Sequence, residues 1–255
     1  MNTSKGHILD KKVSKPNAYR LFLKRLPKGF VTIVVSLVVI YIIKFAYLDS
    51  IQELFVGAHK LGVLFDDIVI ALVIATIFYC VVNIGDVVRR ELIFYSQAFD
   101  LVRFLYRKNI KFTSIVISGR HNCNSFPPFP TDISILESAM SKINYLDRNT
   151  PVGYSNSFEL YTWQEYLNHE AVESQNLLIS MKELYDLYRV EHPELLHLIH
   201  ELSEASFIDI MKKTSVLKLQ NAPVSNGETA KIYGSFQREI MKLKTLFEKT
   251  YGVQL

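Results

Sequence analysis

The chain has 255 residues, 49% of them hydrophobic, and a formal net charge of +4. That charge is too small and too dispersed to argue for a nucleic-acid surface, and two cysteines, Cys80 and Cys123, exclude a disulfide framework. Taking residues 86 to 255 as lying outside a membrane leaves 255 − 85 = 170 residues, enough for one domain with its own core.

Residues 1 to 28 hold Lys5, Lys11, Lys12, Lys15, Arg20, Lys24, Arg25 and Lys28 against Asp10 alone. Positive charge of this density beside a first apolar run predicts a cytoplasmic leader. Within it, Ala18 to Leu26 reads as a short amphipathic helix, with Tyr19, Phe22, Leu23 and Leu26 toward an acyl boundary and the cations toward headgroups. The competing reading is a leader that only sets orientation. Pro27 and Gly29 interrupt the pattern.

Two apolar runs follow. The first, residues 29 to 48, carries one charge, Lys44; the second has an uncharged core from Ile68 to Gly85. Twenty helical residues span about 30 Å, the thickness of a bilayer's hydrocarbon core. The pattern predicts a transmembrane hairpin with spans at 29–48 and 64–85. The basic leader is not expected to be a cleaved signal, since the run after it is too long and a second span follows. The loop Asp49 to Lys60 has one cation and should face outward; Arg89, Arg90, Arg103, Arg107 and Lys108 return the chain to the cytoplasm, so both ends lie inside.

Lys44, Asp66 and Asp67 fall at similar depth near the outer edge. They suit either a charged ring at the mouth of an oligomeric pore, or a snorkelling lysine beside aspartates that cap the second helix. Beyond Gly85 and Asp86, Val88, Leu92, Tyr95, Phe99, Val102 and Tyr106 are spaced 4, 3, 4, 3, 4, with Phe94, Ala98, Leu101 and Leu105 beside them. This predicts an amphipathic stalk helix over 86–108, either a self-associating seam or a helix packed under the chain's own later segments. Gly85 is its soft point at the membrane.

Residues 109 to 120 are β-branched and read as one short strand. A loop with three prolines and Arg120, His121, Asn122 and Cys123 follows. The rest is helical in period: Thr131 or Asp132 through Leu146, Phe158 to Val190, Pro193 to Leu217, and Glu228 to Thr250, with Ile232, Phe236, Ile240, Leu243 and Phe247 inward. The predicted fold is mainly α: a basic leader (1–28), a transmembrane hairpin (29–85), a stalk (86–108) and a cytoplasmic helical domain (109–255).

No phosphate-cradling loop, H-E-x-x-H, C-x-x-C or G-x-S-x-G is present. His197, His200, Glu201, Glu194 and Glu204 share a helical spacing that can bind metal, but an exposed polar face gives the same letters. Cys123 beside His121 lacks a third group, and Phe126 and Phe129 among prolines better suit a sensing loop. We therefore nominate no catalytic, cofactor-binding or metal residues. The candidates are the membrane and gating positions Lys44, Asp66, Asp67, Gly85, Asp86, Arg89 and Arg90.

The layout over Lys24 to Leu48, Leu61 to Ile84 and Val88 to Tyr106 resembles the two-span effectors of bacterial anti-phage systems, the SLATT family and the transmembrane effectors that accompany some retrons. The resemblance implies an inner-membrane, toxin-like effector that oligomerises and permeabilises the bilayer when a cytoplasmic sensor, regulatory protein or ribonucleoprotein signals infection. It implies no cofactor and carries over no catalytic residue. The alternative is a membrane-anchored adaptor presenting a helical interaction domain.

Overall fold

The structure is a computed structural model that describes residues 16–47, 58–118, 132–144, 146–148, 150, 160–216 and 228–255. It is mainly helical, and apart from single bridge residues at Asn144 and Leu160 the described residues form no strand. The described residues divide into two compact units, Pro16–Leu92 and Ile93–Leu255.

In the first unit, α1 (Ala18–Arg25) starts at Asn17, whose side-chain oxygen accepts from the backbone N–H of Tyr19 at 3.0 Å and Arg20 at 3.4 Å. Pro27 separates it from α2 (Lys28–Tyr47). The α3 helix (Ala58–Tyr79) packs on α2, with Val34 and Val69 buried. It runs without interruption into a π-helical turn, Cys80–Ile84, and then into α4 (Gly85–Ser118). The helical path from Lys60 to Ser118 covers 59 residues.

Most of the large side chains on α2 and α3 face outward: Ile33, Ile42, Phe45, Ile74, Ile77 and Phe78 are each more than half exposed. Their hydroxyls close on their own backbones, Thr32 onto the carbonyl of Lys28 at 2.8 Å and Thr76 onto that of Leu72 at 2.6 Å. The path that includes α3 is long and apolar enough to cross a membrane, whereas the apolar run of α2, Val31–Ala46, is shorter.

The second unit is built around α4. Where a strand was predicted over 109–120, residues 109–118 are instead the last part of this helix, and 119 and 120 lie outside the described residues. Its β-branched residues fall at helical spacing, so Phe112, Ile115 and Val116 continue the buried stripe of Val102 and Leu105. Thr113 and Ser118 donate to the carbonyls of Asn109 and Ser114, four residues back. Tertiary burial outweighs the few tenths of a kcal/mol by which β-branching disfavours helix.

Around α4 lie α5 (Ile133–Met140), α6 (Trp163–Tyr188), α7 (Pro193–Ser203), α8 (Ser206–Val216) and α9 (Glu228–Tyr251). The α5 helix is capped by Asp132 and stops at Met140, short of the predicted Leu146. The α6 helix opens with a capping box in which Thr162 and Glu165 each accept the other's backbone N–H, at 3.1 and 2.8 Å. It closes on Arg189 in the left-handed conformation, φ 48°.

The single helix predicted from Pro193 to Leu217 is two. At 100° per residue, a straight helix would put Phe207, Ile208 and Met211 about 180° from Leu195, Leu198, Ile199 and Leu202. A break at Glu204 and Ala205 lets both sets enter one core. Gln175 from α6 secures it by donating to the carbonyl of Ser203 at 3.1 Å.

Aromatic contacts fix α4 among its neighbours. Phe94 meets Tyr185 of α6 edge-on at 6.0 Å, and Tyr95 stacks on Phe247 of α9 at 5.7 Å. Phe112 contacts Tyr166, Phe207 and Tyr233 at 5.6, 6.4 and 4.8 Å.

Candidate functional site

The nominated positions all lie in the first unit, where the structure gathers some and separates others. Lys44, in the last turn of α2, reaches α3. Its ammonium donates to both oxygens of Asp66 at 2.6 Å and to the carbonyl of Gly62 at 3.0 Å. Both side chains are largely covered, 15% exposed for Lys44 and 28% for Asp66. A charge in an apolar setting is tolerated when it is paired and its donors are used, and this lysine meets both conditions within one chain.

Gly62 makes the seat. A Cβ there would lie 3.2 Å from Cε and 3.3 Å from Nζ of Lys44. The role of Gly62 was missed; its only sequence signal is a glycine in an otherwise bulky helix.

The aspartates do not cap α3. The helix begins at Ala58, two turns before Asp66, because Leu61 and Val63 extend the apolar pattern backwards. Asp67 is exposed and forms no ion pair among the described residues. Asp49 and Glu53 lie outside the described residues, as do Arg120, His121, Asn122, Cys123, Phe126 and Phe129.

At the other end of α3, the departure from α geometry falls on Cys80–Ile84, immediately before Gly85. The Gly85 N–H reaches the carbonyl of Cys80, five residues back, and Gly85 itself has ordinary helical angles, φ −58° and ψ −43°. A Cβ on Gly85 would meet nothing closer than 3.8 Å, so the glycine is not required sterically. Asp86 pairs with Arg90 one turn on at 3.1 Å, while Arg89 is exposed.

The π turn is covered by α1. Leu21, Ile84 and Val88 are buried together, with Phe22, Leu26, Cys80 and Leu92 against them. Arg25 of α1 donates to Glu91 of α4 at 3.3 Å, and the Glu91 side chain is only 3% exposed. Glu91 was not a candidate; the signal was a lone carboxylate between Val88 and Leu92 on an apolar stripe. A buried carboxylate is costly without its cation, so this contact ties α1 to the helix that leaves α3.

In the second unit, both stripes of α4 point into the core: Phe94, Tyr95, Ala98, Phe99, Val102 and Leu105 are all buried. The surface that a self-associating seam would need is occupied by α6 and α9. Asn109, Thr113, Tyr233 and Gln237 form a buried polar cluster, with the Tyr233 hydroxyl 2.9 Å from Thr113 and 3.1 Å from the Asn109 side chain. Burial holds the Tyr233 and Tyr166 hydroxyls well above their ordinary range and raises that of Tyr95 to about 12, with Asp100 adding to the last.

Lys108 pairs with Glu170 at 3.4 Å and with Glu173. Burial pushes the Lys108 ammonium down and the Glu170 carboxyl up, and their mutual attraction offsets this only in part. His197 with Glu201 and His200 with Glu204 are solvent-facing pairs one turn apart, at 3.4 and 3.7 Å. Among the described residues no three His, Cys, Asp or Glu side chains gather as a metal site would require.

Comparisons with protein-family models, with curated proteins and with solved structures give no match to this chain.

Proposed function

We propose that the chain is a two-span inner-membrane effector, with α2 and α3 as a transmembrane hairpin and both ends in the cytoplasm. Its hairpin oligomerises and permeabilises the bilayer when a cytoplasmic partner engages the helical unit. The observation that carries this reading is the 59-residue helical path whose first part is apolar and exposed and whose last part is the core of the helical unit. A rearrangement in that core has a covalent helical route to the hairpin. The anti-phage setting rests on the resemblance of layout alone.

A second reading, a membrane-anchored adaptor, is favoured by the burial of both α4 stripes, which leaves no self-associating stalk, and by the closure of Lys44 on Asp66 within one chain.

The test is induction of wild type, Gly85→Ala and Gly85→Pro at matched membrane levels, with the triggering partner present and absent, reading propidium uptake, membrane potential and growth. The effector reading expects leakage that changes with the residue at 85, most strongly for proline, which removes an N–H and kinks the helix. Tight membranes in all three strains overturn it in favour of the adaptor. Reporter fusions at residues 28 and 110 should read cytoplasmic, and labelling at residue 55 exterior.

A further inference from the structure

We infer that the outer face of α1 is a binding surface for anionic phospholipid headgroups, an inference that rests on the membrane reading above. The helix has two faces with different tasks. Leu21, Phe22 and Arg25 look toward Ile84, Val88 and Glu91. On the opposite side Tyr19 and Leu23, one turn apart, are 69% and 43% exposed. Arg20 and Lys24, also one turn apart and exposed, stand beside them. At 100° per residue the apolar pair and the cationic pair occupy adjacent strips about 100° apart on the helix.

An aromatic and a leucine flanked by exposed cations is the arrangement of a helix lying in a bilayer interface, with its rings at headgroup depth and its cations on phosphates. The position agrees. Two residues separate the end of α1 from α2, whose exposed apolar run begins at Val31, and exposed Lys28 adds a third cation. The apolar strip alone does not choose an occupant. The charge does: Arg20, Lys24 and Lys28 select a negative leaflet, and no acidic residue lies between Asn17 and Tyr47 to offset them. Seated there, the leaflet holds α1 from outside while Arg25 holds Glu91 from inside, so headgroup charge bears on the cover over the π turn.

The test uses full-length protein carrying Cys80→Ser and Cys123→Ser, with one environment-sensitive fluorophore placed at Leu23→Cys or at Ile74→Cys. It is reconstituted in vesicles of phosphatidylcholine alone or with about a third phosphatidylglycerol. At residue 23 we expect blue-shifted emission, quenched by shallow spin-labelled lipid, in the anionic vesicles only. The signal should weaken in high salt and fall about fivefold in lipid-bound ratio for each of Arg20→Gln and Lys24→Gln. Emission at residue 23 that is the same in both lipids, with residue 74 quenched in both, overturns the inference and leaves the membrane reading standing. A residue 74 probe quenched in neither overturns both.

Discussion

The path from Lys60 to Ser118 uses apolar residues in two opposite ways. Along α3, Ile74, Ile77 and Phe78 are about 60% exposed. Along α4, Phe94, Leu105 and Ile115 are at most 1% exposed and occupy one side. The same residue types, on the same helical path, are therefore left exposed in α3 and buried in α4. In α4 removing a large side chain opens a cavity, whereas in α3 the side chain already faces outward and little packing is lost.

The largest test of that contrast is Phe112→Ala against Ile74→Ala. Phe112 packs on three aromatic rings and should cost about 3–5 kcal/mol. Ile74, 61% exposed, should cost less than about 1 kcal/mol. Chemical unfolding in detergent, followed by near-ultraviolet circular dichroism, gives both values. Equal costs would break the comparison.

Next is the buried charge of the helical unit. Lys108→Met strands Glu170 and should lose about 3 kcal/mol, and adding Glu170→Gln should restore most of it. Additive losses in this double-mutant cycle would refute the idea that the unpaired charge is what costs. The pH dependence has a defined sign. The folded Glu170 carboxyl titrates above its ordinary 4.5, so its stabilising contribution is full below 4.5 and is lost as pH rises through the folded value. Glu170→Gln should flatten that slope in a series of thermal melts. Lys108, lowered from 10.5, works in the other direction, its penalty relieved as pH rises toward 10.5.

In the first unit, Asp66→Asn should cost about 1–3 kcal/mol by leaving the covered Lys44 ammonium without its counter-charge, and Lys44→Met combined with it should recover stability. The smallest effects concern glycines. Gly85→Ala should stabilise by up to about 1 kcal/mol, since a Cβ fits there and alanine is the better helix former. Gly62→Ala should give no such gain, because its Cβ presses on the end of Lys44. Two equal melting shifts would show that Gly62 does not seat the lysine.

Helix positions were legible where the apolar period was long. Glu228 to Thr250 was read to within one residue of α9, and Pro193 marked the start of α7. The strand at 109–120 was misread because local β-propensity was weighed without the packing of α6, α8 and α9 on Phe112. The break at Glu204 was visible in principle, since the apolar stripe changes sides there. Of the site, the nearness of Lys44 and Asp66 was legible from their places in the two runs, but their pairing was not, since the aspartates were read as a pore ring or as caps of the second helix. The Arg25–Glu91 contact was not legible either, because its partners are 66 residues apart and nothing local binds one to the other.

The π turn has a geometric effect of its own. Cys80, Ile84, Val88 and Leu92 recur every fourth residue, and in an α-helix each such step overshoots a full turn by about 40°. Three steps would wind the row about 120° around the axis. The wider π turn, with bonds spanning five residues, turns less per residue, so the step from Cys80 to Ile84 runs the opposite way and reduces that winding. That smaller winding keeps Cys80 and Leu92 against the buried cluster of Leu21, Ile84 and Val88. Plain α-helix through 80–84 would leave the full winding of about 120° between Cys80 and Leu92.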